Sequence, residues 1–132
     1  MPTRSSFDYA VIRVVPRVDR GEFINAGIVV YCLAKDFLVA RIELDEDRLR
    51  ALAPDVEVST VRDHLCAFER VCRGGPEGGP IGRLSQKERF HWLVAPRSTI
   101  IQVSPVHSGL TEAPETALEN LMDRMVRPPR PV

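Results

Sequence analysis

The chain has 132 residues, 44% of them hydrophobic, and its 18 basic residues balance 18 acidic ones. This length suits one domain with a core of its own, and the neutral balance provides no basic footprint for nucleic acid or an anionic membrane. The longest apolar run, Ala26 to Ala34, falls far short of the about 20 residues that span a bilayer, and the N-terminus has no signal-peptide core, so a cytoplasmic protein is expected.

Three apolar, β-branched runs open the chain. Tyr9 to Val15 reads as a first strand ended by Pro16, with Tyr9, Val11, Arg13 and Val15 on one face and Ala10, Ile12 and Val14 on the other. A charged connection, Arg17 to Phe23, leads to a second strand from Asn25 to Ala34 that is apolar on both faces. Strict alternation puts Ala26, Ile28, Val30 and Cys32 on one face, and Val29, Tyr31 and Leu33 on the other. Lys35-Asp36 turns into a third strand, Phe37 to Leu44. Connections this short exclude crossover helices, so the three strands form an antiparallel meander.

Helices follow. Asp45 caps a short one over Glu46 to Ala53, with acidic residues in its first turn and Pro54 after it. Val58, Val61, Leu65, Phe68 and Cys72 then recur at spacings of three and four, which predicts a helix over Val58 to Cys72 packed on the sheet. Gly74 to Gly82 holds five glycines and two prolines but lacks the Gly-Lys-Ser/Thr ending of a phosphate-binding loop, so it reads as a mobile connection. Ser85 and Glu88 have the spacing of a capping box for a helix to Leu93. Ser98 to Val103 predicts a fourth strand, Ser104 to Gly109 an irregular loop, and Thr111 the cap of a last helix reaching Val126, with Leu118, Leu121, Met122 and Met125 as its apolar stripe.

The fold class expected is therefore α+β: a four-stranded, mostly antiparallel sheet with about four helices packed mainly on one face. Residues 1–126 make the single domain and residues 127–132, rich in Pro and Arg, a flexible tail. Whether helices on both faces or a second copy in a homodimer shields the doubly apolar middle strand is left open by sequence. The cysteines Cys32, Cys66 and Cys72 include no CxxC pair and read as buried reduced thiols.

Several strings resemble a bacterial family of uncharacterised proteins, the domain of unknown function 3037. They are Tyr9 to Arg13 with Pro16, Gly21 to Val29, Arg89-Phe-His-Trp92, Pro96-Arg-Ser98, and Ser104-Pro-Val-His107-Ser-Gly109. The resemblance spans most of the chain and implies no established activity. It does imply a protein partner, with a HipA-like kinase as the suspect.

The polar residues in and beside these strings are the ligand-binding candidates: Arg13, Glu22, Asn25, Arg89, His91, Arg97, Ser104 and His107. Sixteen of the eighteen basic residues are Arg, whose planar fork grips carboxylate and phosphate bidentately. Arg13, Arg89, Arg97 and His107 would form an anion pocket if they converged where the first and fourth strands end. The histidines lack HExxH or H-x-H spacing, so neither a metal nor another cofactor is expected. Structural roles compete with each candidate: Glu22 pairing with Arg13, Asn25 bonding its own turn, and Ser104 fixing a loop. Function thus reads as a binding or adaptor module for a protein partner or an anionic ligand. The alternative is an enzyme acting on a phosphorylated or nucleotide substrate through Arg13, Glu22, His91 and His107.

Overall fold

The structure, a computed structural model, describes residues 3–129. Five strands form one antiparallel sheet: β1 (Ser5–Val14), β2 (Ile24–Cys32), β3 (Phe37–Ile42), β4 (Ile101–Val103) and β5 (His107–Thr111). β1 is central, with β2 and then β3 on one side and both β4 and β5 on the other. Four α-helices complete the chain: α1 (Glu46–Leu52), α2 (Val58–Arg73), α3 (Gln86–Leu93) and α4 (Pro114–Met125).

The meander forms as its pattern requires, and the sheet has one strand more than the four expected. That strand, β5, comes from the stretch read as a loop. Ser104-Pro105-Val106 interrupts the ladder, so the sequence looks irregular there, yet the chain on both sides stays beside β1. Between the pairs Ile12↔Val103 and Tyr9↔His107 the outer chain has one residue more than β1, which makes the interruption a bulge in one bent edge. Thr111, expected to cap α4, ends β5 instead, and its hydroxyl accepts from the Ala113 N–H at 3.1 Å.

A second bulge corrects the face assignment in β2. Ile12 pairs with Gly27 but Arg13 with Asn25, so Ala26 is the extra residue. Strand parity reverses across it: Ile24 and Ala26 join Val29 and Tyr31 on one face, whereas Ile28, Val30 and Cys32 take the other. At Gly27 a Cβ would stand 2.5 Å from the Arg41 carbonyl oxygen, so only glycine lets β3 approach the distorted strand.

Both faces of the sheet are covered. Ala10, Ile12 and Val14 of β1 pack with Leu49 of α1, Val61, Leu65 and Phe68 of α2, and Phe90 and Leu93 of α3. Phe7, Val11, Ile28, Val30 and Cys32 pack under Leu118, Leu121 and Met122 of α4. Three of the four helices thus share one face and α4 alone covers the other, which explains why β2 is apolar on both sides.

The α2 stripe is buried as its spacing predicts, except that Val71 adds to it and Val58 is only half-buried. The glycine-rich stretch is not an open loop. It folds into two short 3-10 turns, Pro76–Gly78 and Ile81–Arg83, closed by the Gly75 N–H donating to the Gly82 carbonyl at 2.9 Å. Of the cysteines, Cys32 and Cys72 are buried and Cys66, contrary to expectation, is exposed. Arg127 of the expected tail is fixed by ion pairs to Glu43 and Asp123, both at 2.6 Å; residues 130–132 lie outside the described residues. No helix is long and apolar enough to cross a membrane among those described.

Candidate functional site

One mostly apolar pocket of about 250 Å³ opens between α2, α3 and the segment that leads into β4. Its α2 wall is His64, Ala67 and Phe68; Trp92 of α3 faces them, and Arg97, Thr99 and Ile100 close the third side. The shape follows from local sequence. α2 turns Leu65 and Phe68 into the core, which leaves His64 and the small Ala67 along one flank. α3 ends at Leu93, and Pro96 sends the chain back past the end of that helix. Arg97 then returns to meet Trp92.

The meeting is specific. The Arg97 guanidinium lies over the Trp92 ring at 4.2 Å from its centroid and 6.0 Å from that of Phe68, and its Nη2 donates to the Trp92 carbonyl oxygen. Stacking on an indole suits a guanidinium, because the ring face is electronegative and the delocalised cation sheds water easily. Burial against these rings pulls the Arg97 pKa below its ordinary value, although a guanidinium so shifted keeps its charge at neutral pH. Among the described residues no carboxylate lies within ion-pair distance of it. The pocket therefore holds a partly desolvated cation whose charge the described residues leave unmatched.

The residues singled out by sequence scatter. Arg13 lies on the α4 face of β1, with its guanidinium 4.2 Å from the Phe23 ring centroid, and Asn25 is its cross-strand neighbour. Asn25 Nδ2 donates to the Met125 carbonyl at 2.9 Å, at the end of α4, rather than to its own turn. Arg13 Nε and Asn25 Oδ1 are both buried without a partner among the described residues. Glu22 pairs with Arg20 in the exposed β1–β2 connection, not with Arg13. His107 projects from β5 beside Tyr9, the ring centroids 5.5 Å apart.

On the opposite face Arg89 is buried and bonds backbone carbonyls. Its Nη1 donates to the carbonyls of Val71 at 2.9 Å and Cys72 at 2.6 Å, and its Nε to that of Leu84 at 3.0 Å. His91 is exposed on α3. Ser104 is buried at the bulge, where its hydroxyl accepts from the Val11 N–H at 2.8 Å. Arg13 and His107 thus lie on one face of the sheet, Arg89 and Arg97 on the other, and no common anion pocket forms. Of the eight residues only Arg97 lines the pocket at α2 and α3.

Sequence reasoning singled out neither His64, which adjoins Leu65 of the α2 stripe, nor Trp92 as a pocket residue. The available signal was local: the chain's one tryptophan precedes Arg97 by five residues, with Pro96 between them to reverse the chain. No group of three or more His, Cys, Asp or Glu side chains is placed to hold a metal among the described residues.

No curated protein and no solved structure matches this sequence closely enough to compare. The family described as Protein of unknown function (DUF3037) matches residues 9–126, nearly the whole sheet-and-helix unit, and the chain belongs to that family.

Proposed function

We propose that the protein acts by binding, and that its ligand is an anionic group on a flat apolar body, held with the charge on Arg97 and the body against Trp92 and Phe68. The observation that carries this reading is the Arg97 guanidinium itself: partly buried on two aromatic rings, without a carboxylate partner among the described residues, and on the wall of an open apolar pocket. Desolvating a cation without a counter-ion costs free energy in the empty state, and an incoming anion recovers it. A few polar groups converging on an apolar cleft is the usual make-up of a small-ligand site. His64 and Thr99 add a ring nitrogen and a hydroxyl to the same wall.

The anion is either free in solution or displayed by a partner protein, such as the HipA-like kinase that the family resemblance implies; both would use these contacts. A catalytic role for Arg13, Glu22, His91 and His107 has less support, because those side chains are spread over both faces of the sheet and the β1–β2 connection.

Trp92 is the chain's single tryptophan, so its emission reports on the pocket alone. Phenyl phosphate should change that emission saturably, and benzyl alcohol at the same concentration should not. Arg97→Gln should weaken phenyl phosphate by roughly tenfold or more, the worth of a charge-assisted contact, with the circular dichroism unchanged. An equal response to the two compounds, or one indifferent to Arg97→Gln, defeats the reading.

A further inference from the structure

The two edges of the sheet differ in a way that bears on assembly. The β4–β5 edge is short-stranded, bulged and broken by Pro105, devices that protect an edge from further pairing. β3 has none of them: it runs from Phe37 to Ile42 in unbroken register with β2, without proline or bulge. The Glu43 N–H donates to the Ala26 carbonyl at 2.9 Å, so the odd-numbered residues of β3 bond β2. Those of Leu38, Ala40 and Ile42 point outward. The Ala40 N–H meets the Cys72 sulfur, a weak acceptor.

Beside this edge is an open groove of about 330 Å³ walled by Leu38 to Ile42 and by Glu69, Cys72 and Arg73 of α2. It continues, past Ile42 and Glu69, into a second space of about 230 Å³ at Glu43, Leu44, Arg62 and Cys66. α2 therefore runs antiparallel to β3, with Cys72 level with Ala40, Glu69 toward Ile42 and Arg73 toward Leu38. Neither Glu69 nor Arg73 has an ion-pair partner among the described residues.

We infer that β3 pairs with β3 of a second copy of this chain, antiparallel about a twofold axis through Ala40, joining the two five-stranded sheets into one. What selects a second copy is self-complementarity. With the axis at Ala40, the outward N–H and C=O groups of Leu38 and Ile42 meet their complements, and the Ala40 N–H exchanges its weak acceptor, the Cys72 sulfur, for the partner's Ala40 carbonyl. Leu38 faces the partner's Ile42, apolar on apolar, and Ala40 meets its own copy at the axis as a hydrogen-bonded pair, where its small side chain crowds neither strand. Glu69 then stands toward the partner's Arg73, and Arg73 toward the partner's Glu69, so two residues left unpaired among the described residues become two ion pairs between chains. On the other face the strand's single cation, Arg41, is already neutralised by Glu119 of its own protomer. The Arg97 pocket is on the opposite flank of α2, so the pairing stands independently of the ligand.

Sedimentation velocity on the full chain tests this. The wild type should sediment at twice 14.8 kDa at a concentration of about 100 µM, with the Leu38 and Ile42 amides protected from hydrogen exchange and losing that protection on dilution. Glu69→Arg and Arg73→Glu each set like charges face to face at both ends of the axis and should weaken the dimer by roughly tenfold or more. Mixing the two variants should regenerate a dimer, because one then contributes only cations and the other only anions; misfolded variants would not recover. A wild type of 14.8 kDa at every concentration up to about 1 mM, a dimer indifferent to the reversals, or variants that stay apart when mixed each overturn the pairing.

Discussion

Ser104 decides how the outer edge of the sheet is built. Where the bulge lifts the chain away from β1, the Val11 N–H loses its carbonyl partner, and the Ser104 hydroxyl replaces it at 2.8 Å. The Ser104 N–H in turn donates to the Val11 carbonyl at 2.9 Å, so one residue closes both sides of the gap. Ser104→Ala leaves a buried backbone N–H unsatisfied and should lower unfolding stability by about 1–3 kcal/mol, read from denaturant melts with an unchanged m-value. A loss under about 0.5 kcal/mol would mean that water or a shifted strand replaces the hydroxyl. The sequence signals that Ser-Pro bonds backbone, and that much is legible. Its partner is not: Val11 is 93 residues away, and spacing carries no information across such a distance. The same limit explains the candidate site. Arg97 could be proposed because Arg is the usual anion ligand, but its stack on Trp92 depends on the turn at Pro96, and the separation of Arg13 from Arg89 depends on which face each reaches.

Among the elements, the α2–α3 junction shows how a helix end is satisfied by a neighbour. The last carbonyls of a helix have no partner inside it, and those of Val71 and Cys72 near the end of α2 take the Arg89 guanidinium, which also holds the Leu84 carbonyl before α3. Gly74 follows with φ 76°, and a Cβ there would stand 2.9 Å from Arg89 Nη1, so the glycine is needed for conformation and for space. Arg89→Ala should cost about 2–4 kcal/mol of stability, since three bonds to a charged donor are lost and a cavity opens. Arg89→Lys should recover only part of it, because an ammonium lacks the planar fork that reaches three carbonyls. Thermal melts of the two variants beside wild type decide this; equal melting for all three would remove Arg89 from the junction. Element by element, helices were the more legible. The capping box at Ser85 and Glu88 forms as its spacing predicts, and the α2 and α4 stripes are buried, because helical periodicity is local. The strands were legible in their cores and not at their irregularities. The extra residue at Ala26 reverses side-chain parity without leaving a mark in composition, and β5 hides behind Pro105.

For the whole molecule, the three layers are tied at their rims by ion pairs that acid should release. Glu119 of α4 meets Arg127 and Arg41, linking α4 to β3, and Arg127 also reaches Glu43 just beyond that strand. Across the sheet Glu46 of α1 meets Arg62 of α2 and Arg50 of its own helix. The hydrogen bond from Arg127, and then the charges of Arg127 and Arg41, hold the Glu119 carboxyl below its ordinary value of 4.5; Arg62, and then Arg50, does the same for Glu46. A carboxyl depressed in the folded state is ionised there more readily than in the unfolded chain. It therefore adds stability above pH 4.5, and that contribution disappears as pH falls through the lowered folded values. Both carboxyls are partly open to solvent, so salt should weaken the effect. The melting temperature is thus expected to be level near neutrality and to fall below pH 4.5, with Glu119→Gln lowering the neutral plateau and making the acid slope shallower. Melting curves collected across this range for both proteins at low and high salt settle the matter. Parallel slopes would show that other carboxylates govern acid unfolding and that α4 is held on the sheet by its apolar contacts and by the Asn25 bond to the Met125 carbonyl.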